Sequence, residues 1–161
     1  MPTFPTPMSH PHFKLTGASP ADAGPIFDLY KELFHGHIQQ IWGWDEAWQR
    51  LNFEEEWKIA RTWRIESQDR LAGYLQQKEE NDFIYLLSIA IIPDFQGRGI
   101  GREIMLGFKR MAEELGQPLR LSVFRTNPRA LSFYLNLGFR VAEEAPEFHR
   151  LEWLPETKDV G

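Results

Sequence analysis

The feature that most constrains the fold is an apolar run, Phe83–Pro93, that leads directly into a glycine-rich turn. The run is too short to span a bilayer, and its nearly unbroken apolar character is typical of a central strand covered on both faces. After the turn, apolar residues recur at helical spacing from Ile100 to Leu115, and Gly116 marks the end of that helix. A strand, turn and helix in this order predict a right-handed crossover to a further strand at 119–124.

Periodicity, caps and turn residues locate the other elements. Ser19 and Pro20 are typical of a helix start, and Asp45 is suited to cap a second helix or helical pair. The resulting order is β-α-α-β-β-β-α-β-α-β-β, in which the second to fourth strands form an antiparallel meander. Besides 83–92 and 119–124, strands are predicted at 12–16, 62–67, 71–77, 139–143 and 148–153, and helices at 19–34, 45–60, 100–115 and 128–137.

The length of the chain indicates one domain. A chain of 161 residues is of ordinary size for a single domain. Four prolines within residues 1–11 remove backbone donors, so we interpret 1–11 as a flexible leader and 12–161 as the domain. The predicted fold class is α/β, with a central mixed, mostly antiparallel sheet flanked by helices.

Composition excludes several kinds of chemistry. The chain has no Cys, which rules out disulfides, a thiol nucleophile and cysteine-ligated metals. Lys+Arg 18 against Asp+Glu 23 gives a net charge of −5, and scattered Arg residues without a continuous basic face argue against nucleic acid as a partner. No transmembrane helix or secretory signal is recognisable, so we expect a cytoplasmic protein that binds no membrane. His35 and His37 have no evident further ligands, so no metal is expected.

The turn Gln96–Arg102 is suited to an anion. Its glycines let the chain turn tightly and bring N–H groups close to a ligand, and the helix N-terminus adds partial positive charge beside Arg98. A P-loop would need Lys and then Ser or Thr where this chain has Arg102-Glu103, and a dinucleotide fingerprint would need its third glycine at Arg102. We therefore predict a phosphate or pyrophosphate site of another kind.

Two motifs carry a resemblance to a known family. The turn has the pattern Gln-x-x-Gly-x-Gly at Gln96–Gly101, and the segment Asn127–Phe139 has the pattern Asn…Ala…Phe-Tyr…Leu-Gly-Phe. In both motifs and in their order, the sequence resembles the GNAT-type N-acetyltransferase superfamily, which binds acetyl-CoA by this turn. The resemblance is close over 62–142 and extends to 12–60 in element order. It implies a single-domain GNAT-like fold with acetyl-CoA as co-substrate.

The resemblance also implies a role for each matching residue. The backbone at Ile89–Ile91 would pair with the pantetheine arm as an added strand, which requires no particular side chain. Asn127 would contact the cofactor, although it also suits the N-cap of the helix at Pro128, and both roles can coexist. Tyr134 would be the catalytic acid that protonates the departing thiolate. The implied cofactor-binding residues are Ile89, Ala90, Ile91, Gln96, Gly97, Arg98, Gly99, Ile100, Gly101, Arg102, Asn127 and Tyr134.

Direct attack by an amine on the thioester also needs a base. In members of the family that acetylate the N-termini of ribosomal proteins, a Glu often stands on the strand before the Asn, where this chain has Ser122. That departure argues against a ribosomal-protein acceptor. The remaining candidates for the base are Asp82, Tyr85, Asp45 and Glu46.

Five of the six Trp residues lie between Trp42 and Trp63, the region that forms one wall of the acceptor site in this superfamily. These rings either line that site or pack the helices onto the sheet. Exposed rings beside Asp45 and Glu46 would hold a cationic amine by charge and cation–π attraction, whereas Glu54–Glu56 is interpreted as a solvated face. The candidate acceptor-binding residues are Trp42, Trp44, Asp45 and Tyr85.

These features together predict an acetyl-CoA-dependent N-acetyltransferase. Because there is no Cys, the acetyl group would pass directly to a primary amine of a small molecule. A peptide or protein amine is the alternative acceptor, and a non-catalytic CoA-binding module is the alternative function. Members of the superfamily often pair, so a homodimer is a further expectation.

Overall fold

The computed structural model describes residues 8–156, which form four helices and eight strands. None of the helices in this part of the chain is long and apolar enough to cross a membrane. The helices are α1 (Ala23–Ile41), α2 (Glu46–Ile59), α3 (Ile100–Leu115) and α4 (Pro128–Asn136). The strands are β1 (Met8–His10), β2 (Phe13–Gly17), β3 (Ala60–Ser67), β4 (Arg70–Glu79), β5 (Ile84–Ile91), β6 (Leu119–Phe124), β7 (Arg140–Glu144) and β8 (Phe148–Trp153).

All eight of these strands belong to one sheet, in the order β1-β2-β3-β4-β5-β6-β8-β7. Every neighbouring pair is antiparallel except β5 and β6, which are parallel and are joined through α3. The predicted mixed, mostly antiparallel sheet flanked by helices is therefore confirmed, as is the crossover between β5 and β6.

The sheet begins earlier than predicted. Residues 1–7 of the predicted leader lie outside the described residues, but Met8–His10 forms β1 and pairs antiparallel with β2, with Met8 opposite Leu15. The strand predicted at 12–16 corresponds to β2, whereas β1 was not predicted and lies within the predicted leader. Met8–His10 lies between two prolines, and a proline-free stretch of this length can still pair at the edge of a sheet.

The first helix ends later than predicted. The sequence predicts that this helix ends near Phe34, but α1 continues to Ile41. Its extension is stabilised by Ile38, which is only 2% exposed. The helix stops instead just before Gly43, which has φ +84° and whose N–H donates to the carbonyl of Ile38 at 3.1 Å. A left-handed glycine just after a helix is a common stop signal.

The helices cover both faces of the sheet. On one face, Ile104, Met105 and Phe108 of α3 are fully buried in the larger core cluster. On the other face, α1 and α2 pack through Ile26 and Phe53 in a second cluster. Because helices cover both faces of the sheet at β4 and β5, most of β4 is buried and no residue of β5 is exposed, which explains the unbroken apolar run in β5.

We expect Gly73→Ala to destabilise the protein. A Cβ on Gly73 in β4 would lie 2.0 Å from the carbonyl oxygen of Ala90 in β5, so the two backbones would have to move apart. Overpacking of this kind costs about 1–3 kcal/mol, which urea denaturation would measure as a lower free energy of unfolding.

The matched control is Gly36→Ala. Gly36 lies inside α1, and a Cβ there would have nothing within 4 Å. The same substitution should therefore raise the free energy of unfolding, by up to about 1 kcal/mol, since Ala is the better helix former. Equal effects of the two substitutions would contradict the close approach of β4 and β5.

Candidate active site

The two parallel strands at the centre of the sheet diverge almost as soon as they pair. β5 and β6 match only at Ile84 with Leu119 and at Tyr85 with Arg120. Beyond this point β5 keeps β4 as its neighbour and β6 keeps β8. The side of β5 that faces β6 therefore carries backbone N–H and C=O groups without a strand partner, which is an edge that an extended ligand can pair with.

An irregularity in β5 accompanies this divergence. Gln76 of β4 pairs with Ser88, but the next residue, Gln77, pairs with Leu86, so Leu87 has no partner on β4. An extra residue of this kind is a β-bulge, which bends a strand and increases its local twist. The bulge lies where β5 turns away from β6.

The alternation of backbone groups along a strand decides which residues of β5 direct their N–H and C=O groups into the opening between β5 and β6. The Ala90 carbonyl faces β4, since a Cβ on Gly73 would almost touch it, and the N–H of Ile92 donates to the carbonyl of Ala72 at 2.8 Å. Successive residues direct their backbone groups to opposite sides of a strand. Ile89 and Ile91 therefore direct their N–H and C=O groups into the opening, whereas Ala90 does not.

Gln96 fastens the glycine turn to the end of β5. Its Nε2 donates to the carbonyl of Ile91 at 2.8 Å, and its backbone N–H donates to the carbonyl of Pro93 at 3.1 Å. The predicted cofactor residue thus holds the turn in place rather than pointing its amide outward.

The turn itself has the geometry of an anion site. Gly97 and Gly99 have φ of +74° and +84°, a region that favours glycine. Gly99 is the N-cap of α3, and the first bond within the helix runs from the N–H of Glu103 to the carbonyl of Gly99 at 3.0 Å. The N–H groups of Ile100–Arg102 precede that bond and so have no acceptor within the helix. Together with the helix dipole they can hold a phosphate group.

Both arginines of the turn are exposed. The guanidinium of Arg98 lies over the ring of Phe95, with 5.0 Å to the ring centroid, and Phe95 is buried. The contact holds Arg98 beside the turn, where its charge is available to an anion.

A cavity of about 730 Å³ lies where β5 and β6 separate. It is bounded by both strands, by α4, and by α1 and α2 on the opposite side, and most of its wall is apolar. The structure brings together at this cavity six of the predicted residues, from the end of α1, the start of α2, β5 and α4 with its N-cap. These residues are Trp42, Asp45, Tyr85, Ile89, Asn127 and Tyr134.

Tyr134 lies on α4 and borders the cavity, although only 7% of it is exposed. Its ring contacts Phe133 and Phe139 edge-on, with centroids 5.0 and 5.5 Å away. Within residues 8–156 its hydroxyl makes no hydrogen bond. Burial raises the pKa of Tyr134, so the phenol stays protonated at neutral pH and is able to donate a proton.

Asn127 caps α4. Its side-chain Oδ1 accepts a hydrogen bond from the N–H of Ala130 at 3.1 Å, which confirms the capping role. The cap uses only the oxygen, so the Nδ2 group remains for a ligand in the cavity.

The tryptophans divide between the two arrangements considered from the sequence. Trp42 and Trp48 line the cavity and are 54% and 58% exposed. Trp63 is buried in the larger core and Trp57 packs against the second cluster. Trp44 packs in the corner between α1 and α2, where its ring contacts Tyr30 and His35, and it does not reach the cavity lining.

Two of the carboxylates proposed as the base are already engaged. Asp45 lines the cavity, but its Oδ1 accepts from the N–H of Trp48 at 3.0 Å and caps α2. Glu46 forms ion pairs with Lys31 and Arg50. Asp82 is exposed and lies outside the cavity lining.

Sequence reasoning missed one carboxylate. Glu54 and Glu55 are exposed as expected of a solvated face, but Glu56 is half-buried and lines the cavity. Its Oε1 accepts from Nδ2 of Asn52 at 3.1 Å, and burial raises its pKa. Gln49, Asn52, Phe53 and Glu56 follow the i, i+3, i+4, i+7 spacing of one helix face. That spacing was the signal available in the sequence.

No group of three or more His, Cys, Asp or Glu residues that could hold a metal ion occurs between residues 8 and 156. The residues that line the cavity include a buried phenol, a half-buried carboxylate, side-chain amides and aromatic rings.

Comparison with known proteins identifies the family. A model of the acetyltransferase (GNAT) family matches residues 25–139. The matched segment begins near the start of α1 and contains the open edge of β5, the glycine turn and all of α4.

Curated relatives are similar over part of their length. The chain is 37% identical over 67 residues to thialysine N-epsilon-acetyltransferase of Bos taurus, covering 41% of this chain and 39% of that protein. It is 34% identical over 80 residues to the ribosomal protein bS18-alanine N-acetyltransferase of Salmonella typhimurium, covering 49% of this chain and 54% of that protein. The chain thus matches only about half or less of the length of each of these relatives.

A solved structure matches nearly the whole chain. The PaiA N-acetyltransferase of Thermoplasma acidophilum, solved in complex with coenzyme A, is 18% identical, with a TM-score of 0.70. The match covers 91% of this chain and 99% of that protein, which shows a common fold. The predicted resemblance is confirmed, and the chain belongs to the acetyltransferase (GNAT) family.

Proposed function

We propose that this protein transfers the acetyl group of acetyl-CoA directly to a primary amine of a small molecule. The observation that carries the proposal is the divergence of β5 from β6. The open edge of β5 runs from the glycine turn, where an anion can bind, to a cavity that Tyr134 borders. One path thus links a phosphate site to a proton donor.

The residues along this path fit acetyl-CoA. The free N–H groups at the start of α3 suit the pyrophosphate, with Arg98 beside them. The backbone groups of Ile89 and Ile91 suit the amides of the pantetheine arm, although Gln96 already bonds the Ile91 carbonyl. Bound acetyl-CoA supplies a thioester: the C–N bond to the amine forms as the C–S bond breaks, and the sulfur leaves with the bonding electron pair and takes up one proton.

Tyr134 is positioned to supply that proton. The phenol is protonated at neutral pH, and burial moves its pKa further above the usual value. Its hydroxyl is not engaged by another described residue. The nitrogen loses a proton when the amide forms, and this proton restores the phenol. The absence of Cys from the chain leaves no thiol to carry the acetyl group, so transfer is direct.

A peptide or protein amine is the second candidate acceptor. The Salmonella relative is named for acting on an alanine of a ribosomal protein, and the exposed rings of Trp42 and Trp48 at the cavity offer contact area to a larger partner. The cavity favours a small acceptor, because helices and strands bound it on opposite sides. Ser122, rather than a carboxylate, lines it on β6.

We expect Gly99→Ala to weaken the binding of acetyl-CoA. A side chain at φ +84° costs about 1–2 kcal/mol, and relief of that strain would move the N–H groups of the turn. The dissociation constant, measured by isothermal titration, should rise about five- to thirtyfold.

Gly116→Ala is the control for this substitution. Gly116 has φ +63° at the other end of the same helix, also in open space. It should lower the stability of the protein to a similar extent and leave the affinity for acetyl-CoA unchanged. An equal loss of affinity in both variants would remove the turn from the cofactor site.

We expect Tyr134→Phe to lower kcat about a hundredfold or more, since general acids contribute at least that much. Acetyl-CoA binding and the melting temperature should change little, because the hydroxyl makes no hydrogen bond within the described residues. Steady-state release of CoA and isothermal titration measure the two quantities. An unchanged kcat across the pH range would assign the proton to another group.

A further inference from the structure

We infer that the acceptor is a primary amine on an apolar chain or aromatic ring, and that Glu56 receives its ammonium group. This inference rests on the proposed function, since it names the substrate class of the same cavity. It is carried by the composition of the cavity wall, by the position of Glu56 within it, and by the other charged residues around it.

Aromatic rings from several elements contribute to the cavity wall. They come from α1, from the corner before α2, from α2 itself, from both central strands and from β8. An acceptor that fills this space must bury an apolar body, because apolar surface is stabilised only against other apolar surface. Representative rings are Tyr30, Trp42, Phe53, Tyr85, Phe124 and Phe148.

Glu56 is the carboxylate best placed to bind a cation inside this wall. It projects from α2 into the lining and is half-buried. Asn52, one turn earlier, donates to Oε1 at 3.1 Å, and Glu56 has no ion pair within residues 8–156. An ammonium at this place gains a charge-assisted hydrogen bond and the faces of nearby rings.

The other charged residues of the described lining argue against two common kinds of acceptor. Arg150 is the only cation among them, and it is exposed and paired with Glu143 at 3.5 Å. The carboxylate of an amino acid would therefore find no free partner inside. Asp45 is the only other carboxylate, and it caps α2. A polyamine would therefore bury additional charges without partners, which is costly.

The pairing of Glu56 with the ammonium group of the acceptor also helps the acetyl transfer. Glu56 accepts one proton from the ammonium, which leaves a lone pair on the nitrogen for attack, and the proton then passes from the carboxyl group to solvent. Burial raises the pKa of Glu56, which makes it a better proton acceptor than a solvated carboxylate. The groups that act on it are Lys78 on β4 and the phenols of Tyr30 on α1 and Tyr74 on β4. Lys78 is partly engaged by Glu80 at 3.5 Å.

The first test compares acceptors. We expect kcat/KM, measured by CoA release, to be at least tenfold higher for 2-phenylethylamine than for lysine, spermidine or a short peptide with a free N-terminus. A higher value for any of these three would overturn the substrate class. Release of no CoA with any amine would contradict the proposed function instead.

The second test uses binding without acetyl-CoA. Binding of 2-phenylethylamine should quench the fluorescence of Trp42 and Trp48, and Glu56→Gln should weaken that binding roughly tenfold to a hundredfold. Glu55→Gln is the matched control, because Glu55 is exposed and paired with Lys58 at 3.3 Å. It should bind within twofold of the native protein. Equal affinities of the two variants would overturn the role of Glu56, whether or not the protein turns over.

The third test is the pH profile. kcat/KM of the native protein should rise with pH as Glu56 loses its proton, at a pH above the ordinary range of a carboxyl group. Glu56→Gln should lack this rise and Glu55→Gln should keep it. A rise that persists in Glu56→Gln would assign the proton acceptor to another group.

Discussion

The parallel pairing of β5 with β6 stops after two residue pairs, and the candidate site depends on that early end. If the strands stayed paired, the backbone of β5 would be saturated and no cavity would open between them. The bulge at Leu87 bends β5 at this point, and helices pack on both faces of the sheet. The sheet thus gains a polar backbone edge inside a largely apolar surrounding, where hydrogen bonds to a ligand are strong.

The two ends of that edge have different chemistry. At the carboxyl end of β5, Gln96 ties the glycine turn to the Ile91 carbonyl, and the first N–H groups of α3 are left for an anion. At the other end, aromatic rings and the half-buried Glu56 bound the cavity opposite Tyr134. A ligand with a charged head and a long amide-bearing arm matches this sequence of environments, and acetyl-CoA is such a ligand. Membership of the acetyltransferase (GNAT) family agrees with that match.

Much of this arrangement was predictable from the sequence, because local signals and packing agree there. The apolar run of β5, the glycine turn and the helical spacing after Ile100 all specify the same crossover. Predictions from local sequence signals were wrong where packing against the rest of the protein determined the structure. The helix predicted to end near Phe34 continues to Ile41, because the burial of Ile38 stabilises its extension. Pro7 and Pro11 suggested a leader, but the residues between them pair at the sheet edge.

The roles of the carboxylates also depend on packing that the sequence does not show. Glu54, Glu55 and Glu56 are consecutive, and although helical spacing puts Glu56 on one face with Gln49 and Phe53, only the packing of α2 shows that this face borders the cavity. Likewise, the capping bond of Asp45 and the ion pairs of Glu46 depend on partners that spacing does not reveal.

The most direct test of the account is amide hydrogen exchange, followed by NMR with and without acetyl-CoA. Binding along the open edge should slow exchange at the N–H groups of Ile89 and Ile91 and across 97–102. The exposed edge strand β7 should be unaffected. Unchanged exchange at β5 and the turn, or equal protection of β7, would contradict the central claim that this edge is the cofactor site.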